Sequence, residues 1–311
     1  MPIKNAAKKS PAKKQNVVRG KSTQKSSVTT IPADVFSEIP WLLHGFSTRI
    51  GGFSRVYGGS ALNLGFTKED SASAVEKNRS AFLQKLGAAP KNQPWPLVTL
   101  RQIHSDLIHC VTTAPAEQLA GDGLITATPE IVLGIQTADC LPAILVDTKK
   151  RAVGVFHAGW RGTLKRIVEK GVGEMRRCFG SMPRDIKAAI GPGIRGCCYE
   201  VGEEVRRTFE DQFEYGAALF REEKDSDHIR ERYPMLFLTS RAPGHSDLPK
   251  RIFLDLAEAN KRQLLAAGVP AKNIESSPLC TACNTDLLFS YRKEKSGTGR
   301  MLAAVGIKAS K

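Results

Sequence analysis

The chain has 311 residues, of which 41% are hydrophobic and 25% are charged, and its formal net charge is +15. This composition is ordinary for a globular protein, and the length suffices for one large α/β domain or two small ones. No run of eighteen apolar residues occurs, so we expect no membrane-spanning helix. The Lys-rich start lacks the apolar core of a secretory signal, so we expect a cytoplasmic protein.

Residues 1–29 carry much of the positive charge. Their eight basic residues precede the first acid, Asp34, and subtracting eight from +15 leaves about +7; the eight are Lys4, Lys8, Lys9, Lys13, Lys14, Arg19, Lys21 and Lys25. With so few apolar groups, we predict a disordered basic tail. It would bind nucleic acid only non-specifically, if at all, because no aromatic side chains accompany the lysines. A solvated, solubilising tail is the preferred interpretation.

We predict one domain over residues 30–311, with alternating strands and helices. Its polar segment 214–250 has weak periodicity and is predicted to be a variable insertion. The other main elements are a strand over Trp41–Arg49, helices over Ala72–Gly87, 163–179, 201–213 and 254–265, and a strand over Met301–Ile307.

Three short runs rich in Val, Ile and Leu each end near a side chain that can bind a metal. They are Leu97–Ile103 before His104, Ile131–Ala138 before Cys140, and Ala152–Phe156 before His157. Such runs are typical of strands buried on both faces, and ligands bind at the carboxyl ends of strands in open α/β sheets. Two imidazoles and one thiolate suit zinc, whose catalytic sites keep a fourth position open. From these residues alone, a buried thiol and two hydrogen-bonded core histidines stay an open alternative. Asp139 either orients a ligand imidazole or caps a loop.

Two arginines are candidates for binding an anion. Arg49 precedes a Gly-Gly loop, and Arg161 lies at the start of the helix predicted after His157. A planar guanidinium matches phosphate or carboxylate, and a helix N-terminus adds positive potential. Asn63, in a second glycine-rich loop, is a further candidate for substrate or phosphate binding. A hairpin with a surface arginine is the alternative for Arg49.

The seven cysteines are an odd and scattered set, which indicates free thiols in a reducing compartment and not a disulfide framework. Cys197 and Cys198 are most simply small buried residues. The pair Cys280 and Cys283 has the spacing of a redox motif or of half a zinc site, but no second CxxC completes it. We therefore expect a structural role for that pair, with Cys280 as a residue that could line a pocket.

Several segments between about Trp41 and Ile307 together resemble the YfiH family. They are FSTRIGG, LNLG, QIHSD, DGLIT, QTADCLPAILVD, VFHAGWRGT, IGPGI with CYEVG, FLDLAEANKRQLLAAGV, and CTACNTDLLFSYR with TGR. The resemblance implies a single α/β domain with β-sheets sandwiched between helices in four layers, α/β/β/α. It also implies zinc bound by the histidine of QIHSD, the cysteine of TADC and the histidine of FHAGWRG, here His104, Cys140 and His157. The loop from Arg292 to Gly297 is slightly longer than the family's usual one.

Members of this family were long labelled laccase-domain or multicopper polyphenol oxidases and are now regarded as purine nucleoside phosphorylases. The resemblance therefore implies phosphorolysis of adenosine, inosine, guanosine and methylthioadenosine, with deamination of adenosine as a side activity. Zinc is the expected cofactor, and copper is possible. Laccase chemistry needs a blue-copper site and a three-copper cluster, whereas the chain has six histidines and no HxH pair. A phosphate-independent zinc hydrolase and an interaction protein are the other open alternatives.

Overall fold

The computed structural model describes residues 27–224 and 250–309. The predicted basic tail lies almost wholly outside these ranges, as does most of the predicted insertion 214–250. Residues 220–224, near the start of that insertion, form a strand that pairs with residues 250–254 on its far side. Residues on both sides of the segment 225–249 therefore belong to one sheet, and the insertion itself stays a prediction.

The described residues form strands and helices that alternate along the chain. The strands are β1 (Thr30–Ile31), β2 (Leu42–Ser47), β3 (Ile50–Ser54), β4 (Leu97–Thr99), β5 (Ile108–Cys110), β6 (Gly123–Thr126), β7 (Val132–Thr137), β8 (Leu141–Asp147), β9 (Ala152–Ala158), β10 (Ile186–Ile190), β11 (Glu200–Val201), β12 (Phe220–Lys224), β13 (Lys250–Leu254), β14 (Ile274–Ser276) and β15 (Met301–Ile307). The helices are α1 (Ala72–Leu86), α2 (Trp160–Leu164), α3 (Ile167–Phe179), α4 (Glu203–Gln212), α5 (Leu256–Ala266) and α6 (Tyr291–Glu294).

Most of these strands lie in two sheets. The first has the order β1-β2-β15-β7-β4, and the second has the order β14-β10-β8-β9-β6-β5. A small third sheet has the order β11-β13-β12. Most neighbouring strands are antiparallel; the pairs β4·β7, β5·β6 and β10·β14 are parallel. The prediction of a mixed α/β domain is confirmed.

Alternating side chains on the strands place the sheets face to face. One core lies between α1 and the first sheet and contains Phe82, Leu83, Leu43, Leu302 and Ala304. A second contains residues of both sheets, including Leu133, Ile135, Val305, Ile144 and Val155. A third lies between the second sheet and the helices α3 and α5 and contains Leu145, Phe156, Val172, Met175 and Leu264. The order of these cores agrees with the predicted four-layer arrangement, which in its exact form stays a prediction.

The helices follow the sequence pattern with small shifts at their ends. Helix α1 begins after Ser71, whose side chain accepts a hydrogen bond from the N–H of Ala74, and ends at Gly87 with φ 81°. The helix predicted over 163–179 is in fact two helices, because Arg166 has φ 62° and breaks the path between α2 and α3. Within the described ranges, no helix is both long and apolar enough to cross a membrane.

The α1 core offers a test of packing away from the cavity described below. Phe82 has no exposed surface, and its replacement by Ala should lower the free energy of unfolding by about 3–5 kcal/mol because the vacated volume cannot collapse fully. Denaturant unfolding measures this loss. Gln84→Ala, at an exposed position of the same helix, should change it by less than about 0.5 kcal/mol. Similar losses in both variants would contradict the packing described.

Candidate active site

Three metal-binding side chains that are far apart in sequence meet in the structure. The ligand atoms of His104, Cys140 and His157 all lie within 4.8 Å of one another. The sulfur of Cys140 lies 4.0 Å from Nε2 of His104, and the two imidazole rings cross at 75° with centroids 4.9 Å apart. The sequence prediction that these residues form one site therefore agrees with the geometry; metal binding itself stays a prediction.

An antiparallel register, and not the carboxyl edge of a parallel sheet, brings Cys140 and His157 together. Strands β8 and β9 are neighbours in which Pro142 pairs with His157 and Leu141 pairs with Ala158. Cys140 precedes the first residue of β8, while His157 lies inside β9 one residue before its end. His104 and Cys140 do follow the carboxyl ends of β4 and β7, which are parallel neighbours, whereas the antiparallel direction of β9 beside β8 could not be predicted from periodicity.

The side-chain amide of Gln102 fixes the position of the segment that carries His104. Beyond the end of β4, Gln102 donates from Nε2 to the backbone oxygen of Gln136 and accepts from the N–H of Gln136, both at 2.8 Å. The amide thus continues the pairing with β7 after the backbone ladder stops. His104 then adopts φ 58°, a left-handed conformation that turns the chain away from the sheet.

The carboxylate of Asp122 links the segment that carries His104 to the side chain of His157. It is fully buried and accepts hydrogen bonds from the backbone N–H groups of Ile103, His104 and Ser105 at 3.3, 3.1 and 2.6 Å. The Ser105 hydroxyl donates to it at 2.7 Å, and Nδ1 of His157 lies 2.8 Å from it. With Nδ1 occupied, Nε2 is the atom of His157 that is left to bind a metal, as in carboxylate–histidine–zinc sites.

Charge coupling favours the thiolate form of Cys140. Burial alone would raise the pKa of this thiol, but the positive charge of His157 and hydrogen bonds from both histidines lower the pKa to about 6. Burial would lower the pKa of His157, but Cys140 and Asp122 raise it to about 9. Burial would likewise raise the pKa of Asp122, but hydrogen bonds from His157 and Ser105 lower it to about 2. A thiolate at neutral pH is the form that binds a metal.

Asp139, beside Cys140, does not orient an imidazole. Its carboxylate accepts from the hydroxyls of Thr281 and Ser290 at 2.6 and 2.7 Å and from the backbone N–H of Arg292 at 2.6 Å. Of the two roles considered for Asp139, the loop-capping one matches the structure. The orienting carboxylate is Asp122, for which no role was predicted from the sequence, although it lies in the DGLIT segment.

The three donors line a cavity of about 690 Å³. Aromatic side chains, two arginines and several polar groups complete its wall, and the lining consists of Leu100, Gln102, His104, Gln136, Thr137, Ala138, Asp139, Cys140, His157, Trp160, Ile194, Tyr199, Tyr291, Arg292 and Arg300. A neighbouring cavity of about 350 Å³ shares Gln136, Tyr291 and Arg300 with it. Sequence reasoning missed both arginines, although they lie in the SYR and TGR segments.

Neither of the arginines predicted to bind phosphate lines this cavity. Arg49 pairs with Glu294 at 2.8 Å, donates to the backbone oxygen of Tyr57 at 3.1 Å, and stacks on Phe289 at 4.5 Å. Arg161 is exposed and lies 4.4 Å over the ring of Trp160. The geometry thus gives Arg49 a structural role, and phosphate binding by either residue stays a prediction.

Asn63 lies behind the cavity wall and contacts Arg300, which lines the cavity. It is fully buried, and its Oδ1 accepts from the backbone N–H of Arg300 at 2.8 Å, while its Nδ2 donates to Asp70 at 2.8 Å. It does not line the cavity, so it positions Arg300 and is not placed to contact a ligand itself.

The donor set at the cavity fits zinc. Two imidazoles and a thiolate, open to a cavity on one side, match the three-ligand pattern of catalytic zinc. Of the other histidines, Nε2 of His44 accepts from the N–H of Ala33 and His109 bonds to the oxygen of Ala120, while His228 and His245 lie outside the described residues. In the part of the chain that the structure describes, no second histidine-containing donor group occurs to hold a three-copper cluster.

Gly159 lies so close to two of the donors that a larger residue there should disturb them. A Cβ there would lie 3.0 Å from the sulfur of Cys140 and 3.2 Å from Cδ2 of His104. We expect Gly159→Ala to weaken metal binding at least about tenfold, the scale on which groups around metal ligands act. Gly173→Ala, inside α3 with no heavy atom within 4 Å of the added Cβ, is the matched control and should leave metal affinity unchanged. Equal metal affinities of the two variants in a competition titration would contradict the geometry.

Comparisons with known proteins match this fold and these segments. Residues 43–308 match the family model described as multi-copper polyphenol oxidoreductase laccase. A purine nucleoside phosphorylase of Deinococcus radiodurans is 36% identical over 267 residues, which cover 85% of this chain and 88% of that protein. The adenosine deaminase RL5, from an unknown prokaryotic organism, is 36% identical over 184 residues, which cover 59% of this chain and 61% of that protein. The crystal structure of the hypothetical protein YfiH of Bacillus licheniformis superposes with a TM-score of 0.74 at 31% identity, covering 91% of this chain and 97% of that one.

Proposed function

The chain belongs to the YfiH family, whose family model carries the laccase description, and on that premise we propose that it is a zinc-dependent purine nucleoside phosphorylase. The proposed substrates are adenosine, inosine, guanosine and methylthioadenosine, each with phosphate. The observation that carries the proposal is one cavity that combines the His104, Cys140 and His157 donors with aromatic side chains and two arginines.

The cavity suits a nucleoside in size and lining. Its volume of about 690 Å³ lies in the ordinary range for small-molecule sites. Trp160, Tyr199 and Tyr291 offer flat apolar faces for a purine ring, and the side-chain amides of Gln102 and Gln136 lie in the same wall. The side-chain amide of Gln102 also pairs with the backbone N–H and oxygen of Gln136, so these contacts fix this part of the wall where a base would be held.

Phosphorolysis also needs a place for phosphate. In this reaction a phosphate oxygen bonds to the anomeric carbon of the ribose while the bond to the purine nitrogen breaks, and the purine leaves as an anion that takes up a proton. Arg292 and Arg300 are the cations that line the cavity, and planar guanidinium groups suit phosphate. We therefore propose this pair as the phosphate ligands; Arg49 and Arg161, predicted from the sequence, lie outside the cavity lining and stay the alternative. Positioning of the two reactants and neutralisation of phosphate charge are the main contributions expected of the protein.

The metal supports this chemistry in a defined way. A zinc ion held by the three donors would act as a Lewis acid toward the purine or an oxygen nucleophile. Copper is the alternative cofactor that the family description suggests. A laccase needs a three-copper cluster in addition to its blue-copper site, and the described residues contain no second histidine-containing donor group. For this reason the proposal names zinc.

Replacing Arg300 with Met should raise the KM for phosphate at least about tenfold, the value of one charge-assisted contact of about 1.5 kcal/mol or more. The KM for adenosine should change much less. Steady-state kinetics with each substrate varied in turn measures the difference. Arg161→Met is the comparison variant: a larger rise of the phosphate KM in Arg161→Met than in Arg300→Met would move the phosphate site to the start of α2 and contradict our assignment.

Deamination of adenosine is the second proposed activity, because one relative of 36% identity is named an adenosine deaminase. The same cavity would then direct water to the six-carbon of the purine in place of phosphate to the ribose. We also propose a cytoplasmic location, since all seven cysteines are free, as is usual in a reducing compartment.

Product analysis separates these activities. Purified protein of known metal content is incubated with adenosine, with and without phosphate, and adenine is resolved from inosine. The proposal predicts adenine and ribose 1-phosphate only when phosphate is present. Adenine without phosphate would indicate a hydrolase, and inosine alone would indicate a deaminase; either result would overturn the phosphorylase assignment.

A further inference from the structure

Four cysteines outside the cavity converge at a second place in the fold. The sulfur atoms of Cys197, Cys198, Cys280 and Cys283 all lie within 4.8 Å of one another. The Cys283 sulfur lies 3.6 Å from that of Cys197 and 3.3 Å from that of Cys198. The expectation that Cys197 and Cys198 are small buried residues was wrong, because Cys197 is exposed and Cys198 is half-buried, and both lie beside the CxxC pair.

Backbone contacts fix the two loops that carry these thiols. Gly193 forms a parallel bridge with Cys280, and the N–H of Thr281 donates to the oxygen of Gly193 at 3.1 Å. The Cys198 N–H donates to the Arg195 oxygen at 2.9 Å and closes a turn. The four sulfurs are therefore held together by a defined backbone arrangement and not by a chance meeting of mobile side chains.

Hydrogen bonds inside the CxxC turn hold Cys280 and Cys283 in place. Asn284 donates from its backbone and from its side chain to the oxygen of Cys280 at 3.1 and 2.8 Å, which tightens the CxxC turn. Cys280 is buried, whereas Cys197 and Cys283 are exposed, so the group lies at the surface and an ion could reach it.

The distances between the sulfurs fit four ligands around a tetrahedrally coordinated ion better than they fit a disulfide. Four sulfurs at about 2.3 Å from a central zinc lie about 3.8 Å from one another, and the separations of 3.3 and 3.6 Å from the Cys283 sulfur are close to that value. A disulfide would draw two sulfurs to about 2.0 Å and leave the other two unused. All four thiols are free in the structure.

We propose that Cys197, Cys198, Cys280 and Cys283 bind a structural zinc ion. Such an ion would fasten the loop before Tyr199 to the segment after Cys280. Both lead to the cavity, because Tyr199 lines it and Thr281 donates to Asp139, another residue of its wall. The ion would stabilise that wall and take no part in the reaction. This inference does not depend on the proposed activity.

Metal analysis in a background without the cavity site tests the proposal. Reduced, chelator-washed Cys140→Ala protein, reloaded with zinc and desalted, should hold one zinc per chain. The double variant Cys140→Ala/Cys283→Ser should hold none. Cys140→Ala/Cys110→Ser is the matched control, because Cys110 lies in β5 outside both donor groups, and it should keep the one zinc. Equal zinc contents in the two double variants would overturn the proposal.

Alkylation of the unmutated chain gives a second readout that needs no variant. Added zinc should slow the reaction of the four cysteines with iodoacetamide at least about tenfold and leave the alkylation rate of Cys110 unchanged. Peptide mass spectrometry identifies which cysteines have reacted. Equal alkylation with and without zinc would overturn the proposal. So would an unreduced chain that is two mass units lighter for each disulfide within this group.

Discussion

Replacing Cys140 with Ala should abolish stable metal binding at the cavity and lower kcat/KM for phosphate-dependent nucleoside cleavage at least about a hundredfold. Cys140 supplies the soft, charged donor of the set, and its thiolate is the form favoured at neutral pH because His157 and His104 lower its pKa to about 6. Without it, two imidazoles remain, which bind zinc too weakly to retain it. Metal analysis and steady-state kinetics on the same preparation measure both effects.

Cys110→Ala is the matched control for this prediction. Cys110 is exposed in β5 and belongs to neither donor group, so its loss should leave metal content and turnover unchanged. Full turnover by metal-free Cys140→Ala would show that the three-donor site is not needed for the reaction.

Asp122→Asn should weaken zinc binding at the cavity about 10- to 100-fold and lower the free energy of unfolding by about 1–3 kcal/mol. The carboxylate accepts from three backbone N–H groups and one hydroxyl besides His157. An amide has one acceptor oxygen in place of two, so buried donors lose their partner and His157 loses the charge that orients it. Zinc competition titration and denaturant unfolding measure the two losses.

The pH dependence of stability follows from the same carboxylate. The pKa of Asp122 is lowered to about 2, from about 3.9 in an unfolded chain, so its stabilising contribution is complete above the unfolded value and is lost as the pH falls toward 2. Asp122→Asn should lack this part of the acid transition. Asp185→Asn, at a carboxylate that pairs with the exposed Lys149 at 3.5 Å, is the control and should keep this part of the acid transition. Identical zinc affinities and acid transitions in both variants would contradict the role assigned to Asp122.

Local sequence patterns predicted much of this fold. The apolar stripe and the final glycine of α1, the continuous apolar run of β15 and the short buried runs of β7 and β9 each show a periodicity that neighbouring residues determine. The same runs located His104, Cys140 and His157, because each run ends close to where its buried strand ends. Burial and polarity change along the chain, so they can be read from one segment at a time.

The remaining features depend on contacts between distant segments. Asp122 reaches His157 across 35 positions, and Asn63 reaches Arg300 across 237, so neither role is visible in its own segment. The antiparallel pairing of β8 with β9 is likewise set by the partner strand. The four-cysteine group needs an adjacent pair to meet a CxxC pair across the fold, a combination that matches no short spacing pattern. All of these residues except Cys197 lie in a segment that carries the resemblance to the family.

We propose that the three-donor site with bound zinc supports phosphate-dependent nucleoside cleavage. This is measured most directly as adenine release from adenosine and phosphate while zinc is added back to metal-free protein, with copper added to a parallel sample. We expect adenine release to rise with zinc until the site is filled, and we expect copper to support no comparable turnover and no oxidation of phenols. Full adenine release by metal-free protein would contradict the proposal, as would phenol oxidation by the copper-loaded sample with no nucleoside cleavage in either sample.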